Sequence, residues 1–329
     1  MILRKVGAAL AAGCTIIAKP SPETPLTTLM LANLAIKAGF EPGVFSVLTT
    51  SNENTPSLSE ALCKHPLVQK VTFTGSTRVG SLVAKHCSEQ LKKVTLELGG
   101  NCPFIVFGDC DQSQALEQLL ALKWRHAGQA CITANRVYVQ DTIYDKFLEK
   151  ILERTQKIKI GHGTDSGTTM GPVTTARSVK KAQEFVDDAA NKGAEILTGG
   201  KASTQSGGYF FEPTILSKVD PTMLISREEV FAPVLAVSSF TSEDEVVKLA
   251  NDTSMGLASY CFTKNIDRVW RMMDRLEAGM IGINTGNSSA AESPFGGMKH
   301  SGYGKESGKD VAVEEYLVSK TVTLTLSSE

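Results

Sequence analysis

The first hundred residues alternate short β-rich runs with amphipathic helical patterns, and no other feature narrows the possible folds as far. Strand, helix and strand in succession close through a right-handed crossover, which yields a largely parallel sheet covered by helices. Residues 15–18 read as a strand, Thr24 to Gly39 as a helix capped by Thr24 with Pro25 in its first turn, and Val44 to Leu48 as the next strand. The unit then repeats. A helix over Ser57 to Lys64 leads to the strand Lys70 to Phe73, a glycine turn at Gly75, a helix through His86, and the strand Val94 to Glu97, which ends at Gly99-Gly100. This is the pattern of a doubly wound nucleotide-binding core in an α/β protein.

Beyond Pro103 to Val106 the pattern predicts helices at 113–126 and 142–157, then a glycine-rich, less regular stretch from 160 to 215. Strands and helices alternate again from 238 to 284, with Glu243 to Asn251 and Ile266 to Ala278 helical. Thr321 to Leu326 alternates polar and apolar residues as an edge strand does, and an isolated edge strand near a terminus invites pairing with another subunit. A chain of 329 residues exceeds one ordinary core, so two domains are expected with a boundary near residue 100.

Charge is almost balanced, 34 Lys and Arg against 35 Asp and Glu, so there is no basic footprint for a nucleic acid or an anionic membrane surface. The expected partner is a small molecule. The seven cysteines (14, 63, 87, 102, 110, 131 and 261) show no CxxC or Cys/His ligand spacing, and the five histidines are dispersed, which predicts no metal and a reducing compartment. Residues 1–14 imitate a secretory signal, with Arg4-Lys5 ahead of an apolar run and Cys14. Two glycines break that run and a strand-like Thr15 to Ala18 follows at once, so it is read as part of the fold. No stretch approaches the roughly 18 apolar residues of a membrane span.

Three local patterns carry chemistry. Gly128-Gln129-Ala130-Cys131 sets a cysteine just after a glycine-containing turn, although a free cysteine taken alone is most often an inert buried thiol. Thr95 to Gly100 puts the Glu97 carboxylate at the C-terminal end of a hydrophobic strand, where open α/β sheets present groups to ligands. Phe73 to Gly80 runs from a strand through a small-residue turn into a helix N-terminus, whose amides suit a pyrophosphate, although no GxGxxG occurs.

Taken in order and spacing, Phe73 to Gly80, Leu96 to Gly100, Gly128 to Cys131, Glu228-Glu229-Val230-Phe231-Ala232-Pro233 and Pro294-Phe295-Gly296-Gly297 resemble the aldehyde dehydrogenase superfamily. Gly7 to Cys14 and Lys19-Pro20 belong to the same pattern, so the resemblance runs from residue 3 to the C-terminus. It implies an aldehyde dehydrogenase-like fold, with a partial NAD(P)-binding domain over 1–100, a catalytic domain over 101–300, a return to the cofactor domain over 301–317 and an oligomerisation strand over 318–329. It makes Cys131 the nucleophile and Glu97 the general base. A thiolate adds to the aldehyde, the thiohemiacetal gives up hydride to NAD or NADP, and activated water hydrolyses the thioester.

The cofactor contacts implied by the resemblance are Lys19 for the adenosine ribose, the turn Gly75, Ser76 and Gly80 for the pyrophosphate, Leu98 beside it, and Glu229 with Phe231 for the nicotinamide ribose and ring. Relatives that prefer NAD often carry a glutamate three residues after the lysine. Pro22 stands there, beside Ser21, which admits the 2′-phosphate of NADP.

Lys123-Trp124-Arg125 and Gly282 to Gly286 ahead of Ser289 resemble the succinate-semialdehyde branch, in which two arginines and a serine grip a distal carboxylate. Arg125 and Ser289 match, and Arg4 stands at the place of the other arginine. Singly, each of these side chains reads as a solvated surface group; guanidinium forks nevertheless suit a carboxylate.

The family pattern normally continues N-terminally through a strand and a Pro-Trp-Asn-Phe-Pro turn whose asparagine stabilises the oxyanion. The expectation from this sequence is therefore a fold whose first part is missing, and an oxyanion site left with the Cys131 backbone N–H. Thr133 takes the position where some relatives hold a second, redox-active cysteine. The expected assembly is a homo-oligomer or a complex with a full-length relative, in the cytoplasm or, with an upstream targeting segment, the mitochondrion. Two other readings follow from the same residues: a weak or inactive binding subunit, and a cysteine enzyme that works without hydride transfer.

Overall fold

The computed structural model describes residues 1–203 and 207–326. The chain opens with α1 (Ile2–Ala11), which the sequence reading had not placed; its Val6 packs with Ala18 and Phe45, and Ile2 and Leu10 lie against that cluster. The regular first section follows as β1 (Ile16–Ala18), α2 (Leu26–Lys37), β2 (Phe45–Val47), α3 (Thr55–Lys64), β3 (Lys70–Thr74), α4 (Thr77–Ser88) and β4 (Lys93–Glu97). Every strand and helix expected here is present. Thr24 does not cap α2, however: Pro25 occupies the cap position and no side chain accepts from the first turn.

β1 pairs with β2 and β3 with β4, both in parallel. The two pairs are not joined by hydrogen bonds among the described residues, so the single doubly wound sheet expected for this section is instead two parallel ribbons. β3 and β4 are aligned so that Thr74 faces Glu97. The strand before the pyrophosphate turn thus lies beside the strand that carries the carboxylate.

The second layer is a seven-stranded sheet with the order β12-β11-β5-β6-β9-β8-β7. Along the chain this section runs β5 (Cys102–Val106), α5 (Gln112–Trp124), β6 (Ala134–Gln140), α6 (Tyr144–Thr155), α7 (Ala176–Asn191), β7 (Glu195–Thr198), β8 (Thr214–Ser217), α8 (Leu224–Arg227), β9 (Val234–Phe240), α9 (Glu243–Asn251), β10 (Met255–Gly256), which lies outside this sheet, β11 (Ala258–Phe262), α10 (Ile266–Arg275) and β12 (Met280–Ile283). All neighbours run parallel except β7 against β8. The central strands β5 and β11 are buried along their whole length, as parallel strands covered on both faces must be. Pro103 is tolerated in the centre because the β5–β6 register shifts between Cys102 and Pro103.

Three of the helices between β5 and β11 are capped by short polar side chains, whereas α6 and α8 have no side-chain cap. Asp111 accepts from Ser113 and Gln114 N–H for α5, Thr175 from Ser178 for α7, and Ser242 from Glu245 for α9. The 160–215 stretch, expected to be irregular, holds the sixteen-residue α7 and the strand β7. The helix expected at 113–126 stops at Trp124, where His126, Ala127 and Gly128 all take left-handed backbone angles.

The last section, β13 (Met298–Lys299) and α11 (Asp310–Glu314), turns back to the first layer. Leu96 N–H donates to Tyr303 O and Leu98 N–H to Ser301 O, so this strand-like return closes the free edge of β4. Thr321 to Leu326 forms no strand: it has no ladder partner among the described residues, and Val322, Leu324 and Leu326 stand exposed. Residues 327–329, the end of the expected oligomerisation strand, lie outside the described residues. No helix among the described residues is long and apolar enough to cross a membrane.

Candidate active site

Cys131 sits on a loop that the chain enters through strained backbone. His126 and Ala127 have φ of 52° and 53°, a region that disfavours residues with a Cβ, and Gly128 follows at 73°. A Cβ on Gly128 would lie 2.3 Å from the carbonyl oxygen of Ala232, so the nucleophile loop rests directly on the Glu229–Pro233 segment. On the far side of the loop the buried Tyr260 hydroxyl donates to Ile132 O at 2.7 Å, and it lies 3.2 Å from Ser288 Oγ. Gly100 needs its missing side chain too, since a Cβ there would stand 2.2 Å from Cys131 O.

Cys131 is partly buried, and burial pushes its thiol up to about 11, reinforced by the Glu229 and Glu97 carboxylates and opposed by Arg4. Glu97, 2% exposed, is driven to about 8 by burial and then by Glu306, against the pull of Lys5, Arg4 and Lys305. Neither of its carboxylate oxygens has a hydrogen-bond partner among the described residues. A buried carboxylate without partners is costly and uncommon, and groups with displaced titration cluster where proton transfer takes place. Room above it comes from the Pro294–Gly297 motif: a Cβ on Gly296 would lie 3.1 Å from Glu97 Oε1.

Glu229 is lifted to about 7 by burial, with the Gly100 N–H, 3.2 Å from Oε1, working against the rise. Its other oxygen faces Gly99, where a Cβ would approach to 2.8 Å. Two residues on, Phe231 is exposed and takes a left-handed φ of 51°.

The strand, turn and helix expected over Phe73 to Gly80 are present. Ser76 caps α4 by accepting from Val79 N–H at 3.4 Å, Gly75 and Ser76 are exposed, and Gly75 N–H donates to Glu97 O at 3.1 Å. Gly80 is buried against Leu98, whose Cδ2 would meet a Cβ at 2.3 Å, which fixes α4 close over β4. Lys19 Nζ donates to Pro20 O at 2.7 Å, and partial burial holds its ammonium below the usual range. Ser21 is exposed, its Oγ accepting from Glu23 N–H, and Pro22 stands beside it.

The three residues expected to grip a carboxylate have different surroundings. The Arg4 guanidinium stacks on Phe295 at 4.0 Å, with Nη1 buried and unpartnered among the described residues, and its charge is felt by Cys131. Arg125 instead lines a cavity of about 560 Å³ beside Trp124, His126, Gln129 and Met170. Ser289 lies in the loop after Asn287, whose Oδ1 accepts from the Ser289 N–H, and it is the neighbouring Ser288 that reaches Tyr260.

The structure also brings in residues that the sequence reading left out. Lys5 is ion-paired with Glu306, which is 3% exposed and accepts from Thr72 Oγ1. Lys123, buried completely, donates to Asn135 Oδ1 at 3.4 Å, and Asn135 Nδ2 donates to Gly100 O at 3.2 Å. Lys5 and Lys123 stand in the quoted strings Arg4-Lys5 and Lys123-Trp124-Arg125, but nothing local marks Lys5 as half-buried or Lys123 as fully buried.

Residues 1–322 match the model of the aldehyde dehydrogenase family. The chain belongs to that family. It is 48% identical over 324 residues to succinate-semialdehyde dehydrogenase [NADP(+)] 1 of Schizosaccharomyces pombe, covering 98% of this chain and 64% of the relative. A glutarate-semialdehyde dehydrogenase of Pseudomonas aeruginosa is 47% identical, with 98% and 66% covered. Among solved structures, an NADP-dependent enzyme of Escherichia coli superposes with a TM-score of 0.93 at 47% identity, covering 96% of this chain and 64% of that one. The chain thus spans about two thirds, or slightly less, of the relatives it matches. The α/β aldehyde dehydrogenase fold with a mixed central sheet is shared with them.

Proposed function

We propose that this chain carries the catalytic and cofactor-holding residues of an NAD(P)-dependent dehydrogenase for an aldehyde with a distal carboxylate, with succinate semialdehyde as the first candidate. The observation that supports it most is Glu97: a buried carboxylate with both oxygens free, in electrostatic contact with a partly buried Cys131. In this reading residues 1–100 and 301–317 hold the cofactor and 101–300 the nucleophile.

The Cys131 sulfur adds to the aldehyde carbonyl, forming a C–S bond and an alkoxide beside the Cys131 backbone N–H. Lys19, Gly75, Ser76, Gly80, Leu98, Glu229 and Phe231 would hold NAD or NADP, which supplies the hydride acceptor. The fit rests on the exposed, capped N-terminus of α4 and on the Glu229 carboxylate held against Gly99 and Gly100. Loss of a hydride from the adduct's carbon to that acceptor would leave a thioester; Glu97 then takes a proton from the water that attacks its carbonyl, and the C–S bond breaks to release acid and thiolate. Arg4, with an unpartnered buried Nη1, and Arg125, open to its cavity, are the cations for the distal carboxylate. Pro22 in place of a carboxylate leaves the 2′-position open to NADP.

Assembly with further copies or another family member through exposed residues 321–326, in a reducing compartment such as the cytoplasm, belongs to the same reading. The test is cofactor reduction with succinate semialdehyde, glutarate semialdehyde and an uncharged aldehyde of equal length, for wild type and Cys131→Ala. Reduction that needs Cys131 and favours the charged aldehydes is expected. No reduction at high protein concentration would overturn the reading.

A further inference from the structure

The Glu228–Phe231 turn has to present a carboxylate and an aromatic ring to one ligand from neighbouring positions on an exposed loop. One face of α7 holds it. Lys181, Asp188 and Lys192 follow one another at i, i+7 and i+11 and so share a side of the helix. Lys192 Nζ donates to Thr222 O at 2.9 Å, Asp188 Oδ2 accepts from Leu224 N–H at 2.7 Å, and Lys181 Nζ donates to Glu229 O at 2.8 Å. The first two bonds fix the approach to α8. The third reaches the turn itself.

We propose that Lys181 is a positioning residue for the cofactor clamp, tying the backbone of Glu229 to α7 so that its carboxylate and the ring of Phe231 face the same ligand. The inference rests on the assignment of Glu229 and Phe231 to the nicotinamide half given above.

Glu229 is then held at both ends, its carboxylate by Gly100 N–H at 3.2 Å and its carbonyl by the Lys181 ammonium. Val230, 1% exposed, pins the next residue, and the left-handed Phe231 follows directly. A left-handed backbone at a residue with a large side chain persists only where its surroundings over-determine it. Lys181 is itself guided: its ammonium lies 5.2 Å from the ring of Phe185, a core residue one turn further along α7. A hydrogen bond from an ammonium is stronger than a neutral one, and the bonded carbonyl lies two residues from the ring it orients.

The test compares wild type with Lys181→Met, which keeps the aliphatic stem, and Lys181→Arg, which keeps the charge. Hydrogen exchange of the ligand-free chain reads residues 228–231 directly, and binding is measured with NADP⁺, NAD⁺ and ADP, the last lacking the half that Glu229 would touch. Lys181→Met should speed exchange at 228–231 and weaken the nicotinamide nucleotides by about 10-fold, the usual scale for losing a charged hydrogen bond. ADP binding should be unchanged, and Lys181→Arg should recover most of the loss. Exchange at 228–231 indifferent to the Met substitution overturns the role of Lys181 alone. So does an equal weakening of ADP, which marks a general structural defect. A wild type that binds ADP no more weakly than either complete nucleotide, with Glu229→Gln making no difference, overturns the cofactor reading and this role with it.

Discussion

The thiol of Cys102 donates to the backbone carbonyl of Cys131 at 3.4 Å, so the chain places a second, fully buried cysteine directly behind the proposed nucleophile. Burial pushes Cys102 up to about 12, chiefly by desolvation, which keeps it a thiol and a donor. Cys131 differs in being partly open and in sensing two carboxylates. Iodoacetamide should therefore label Cys131 ahead of Cys102, at a rate that still climbs at pH 9 because the thiol titrates near 11. Cys131→Ala should abolish turnover, while Cys102→Ser keeps the loop bond and most of the activity. Mass mapping of the alkylated peptides decides it; preferential labelling of Cys102 would contradict the assignment.

Glu97→Gln isolates the proposed general base. Loss of a positioned base lowers the rate by about 10²–10⁴-fold, and the limb of the pH–rate profile that rises through about 8 should vanish with it. Stability moves the other way. Burial holds Glu97 near 8 in the fold against its ordinary 4.5, so the folded chain binds more protons than the unfolded one between those values, and stability falls as pH rises through that window. Glutamine removes that loss: the variant should gain on wild type from pH 5 to pH 8 in urea denaturation. Parallel curves for the two proteins would show that Glu97 is not held protonated.

Much of this was legible in the sequence because it is local. The strand–turn–helix order up to Gly100 follows from hydrophobic period and glycine placement, and Cys131, Glu97, Ser76 and Glu229 stand in contiguous strings. α7 was obscured by the glycines around it, although Ala182, Phe185, Val186 and Ala189 repeat at i, i+3, i+4 and i+7 behind the cap at Thr175. Thr321 to Leu326 shows the converse: alternation marks a strand, but a strand needs a partner, and none of the described residues supplies one. The bonds around the site could not be read at all. Tyr260 meets Ile132 across 128 residues and Gly100 meets Glu229 across 129, and such pairings exist only once the sheet order is set.

Gly128→Ala tests the contact between the nucleophile loop and the clamp segment. The added Cβ would stand 2.3 Å from the Ala232 carbonyl oxygen, and backbone cannot turn aside as a flexible side chain can. With φ at 73° the alanine is also disfavoured by its own backbone. The expected cost is roughly 1–3 kcal/mol, the range for overpacking, with a fall in turnover beyond the loss of folded protein. Thermal denaturation and activity per folded molecule check the two halves. A variant with wild-type stability and rate would show that the loops are not in contact.

Lys123 offers a test that separates packing from charge. It is fully buried, its one hydrogen bond among the described residues is the 3.4 Å contact with Asn135, and desolvation lowers its ammonium to about 7. Between about 7 and its ordinary 10.5 the unfolded chain holds a proton that the folded chain does not, so this residue makes stability rise with pH across that range. Lys123→Met keeps the aliphatic length and removes the ionisable group. The variant should be more stable than wild type by ~1–3 kcal/mol at pH 6, the scale of burying a poorly bonded polar group, and the gain should shrink towards pH 10. Asn135 Oδ1 then loses its Lys123 donor while the Nδ2 bond to Gly100 O remains. Guanidinium unfolding at the two pH values decides between the readings: a Met variant less stable at pH 6 would mean that the Lys123–Asn135 bond outweighs the desolvation of the amine.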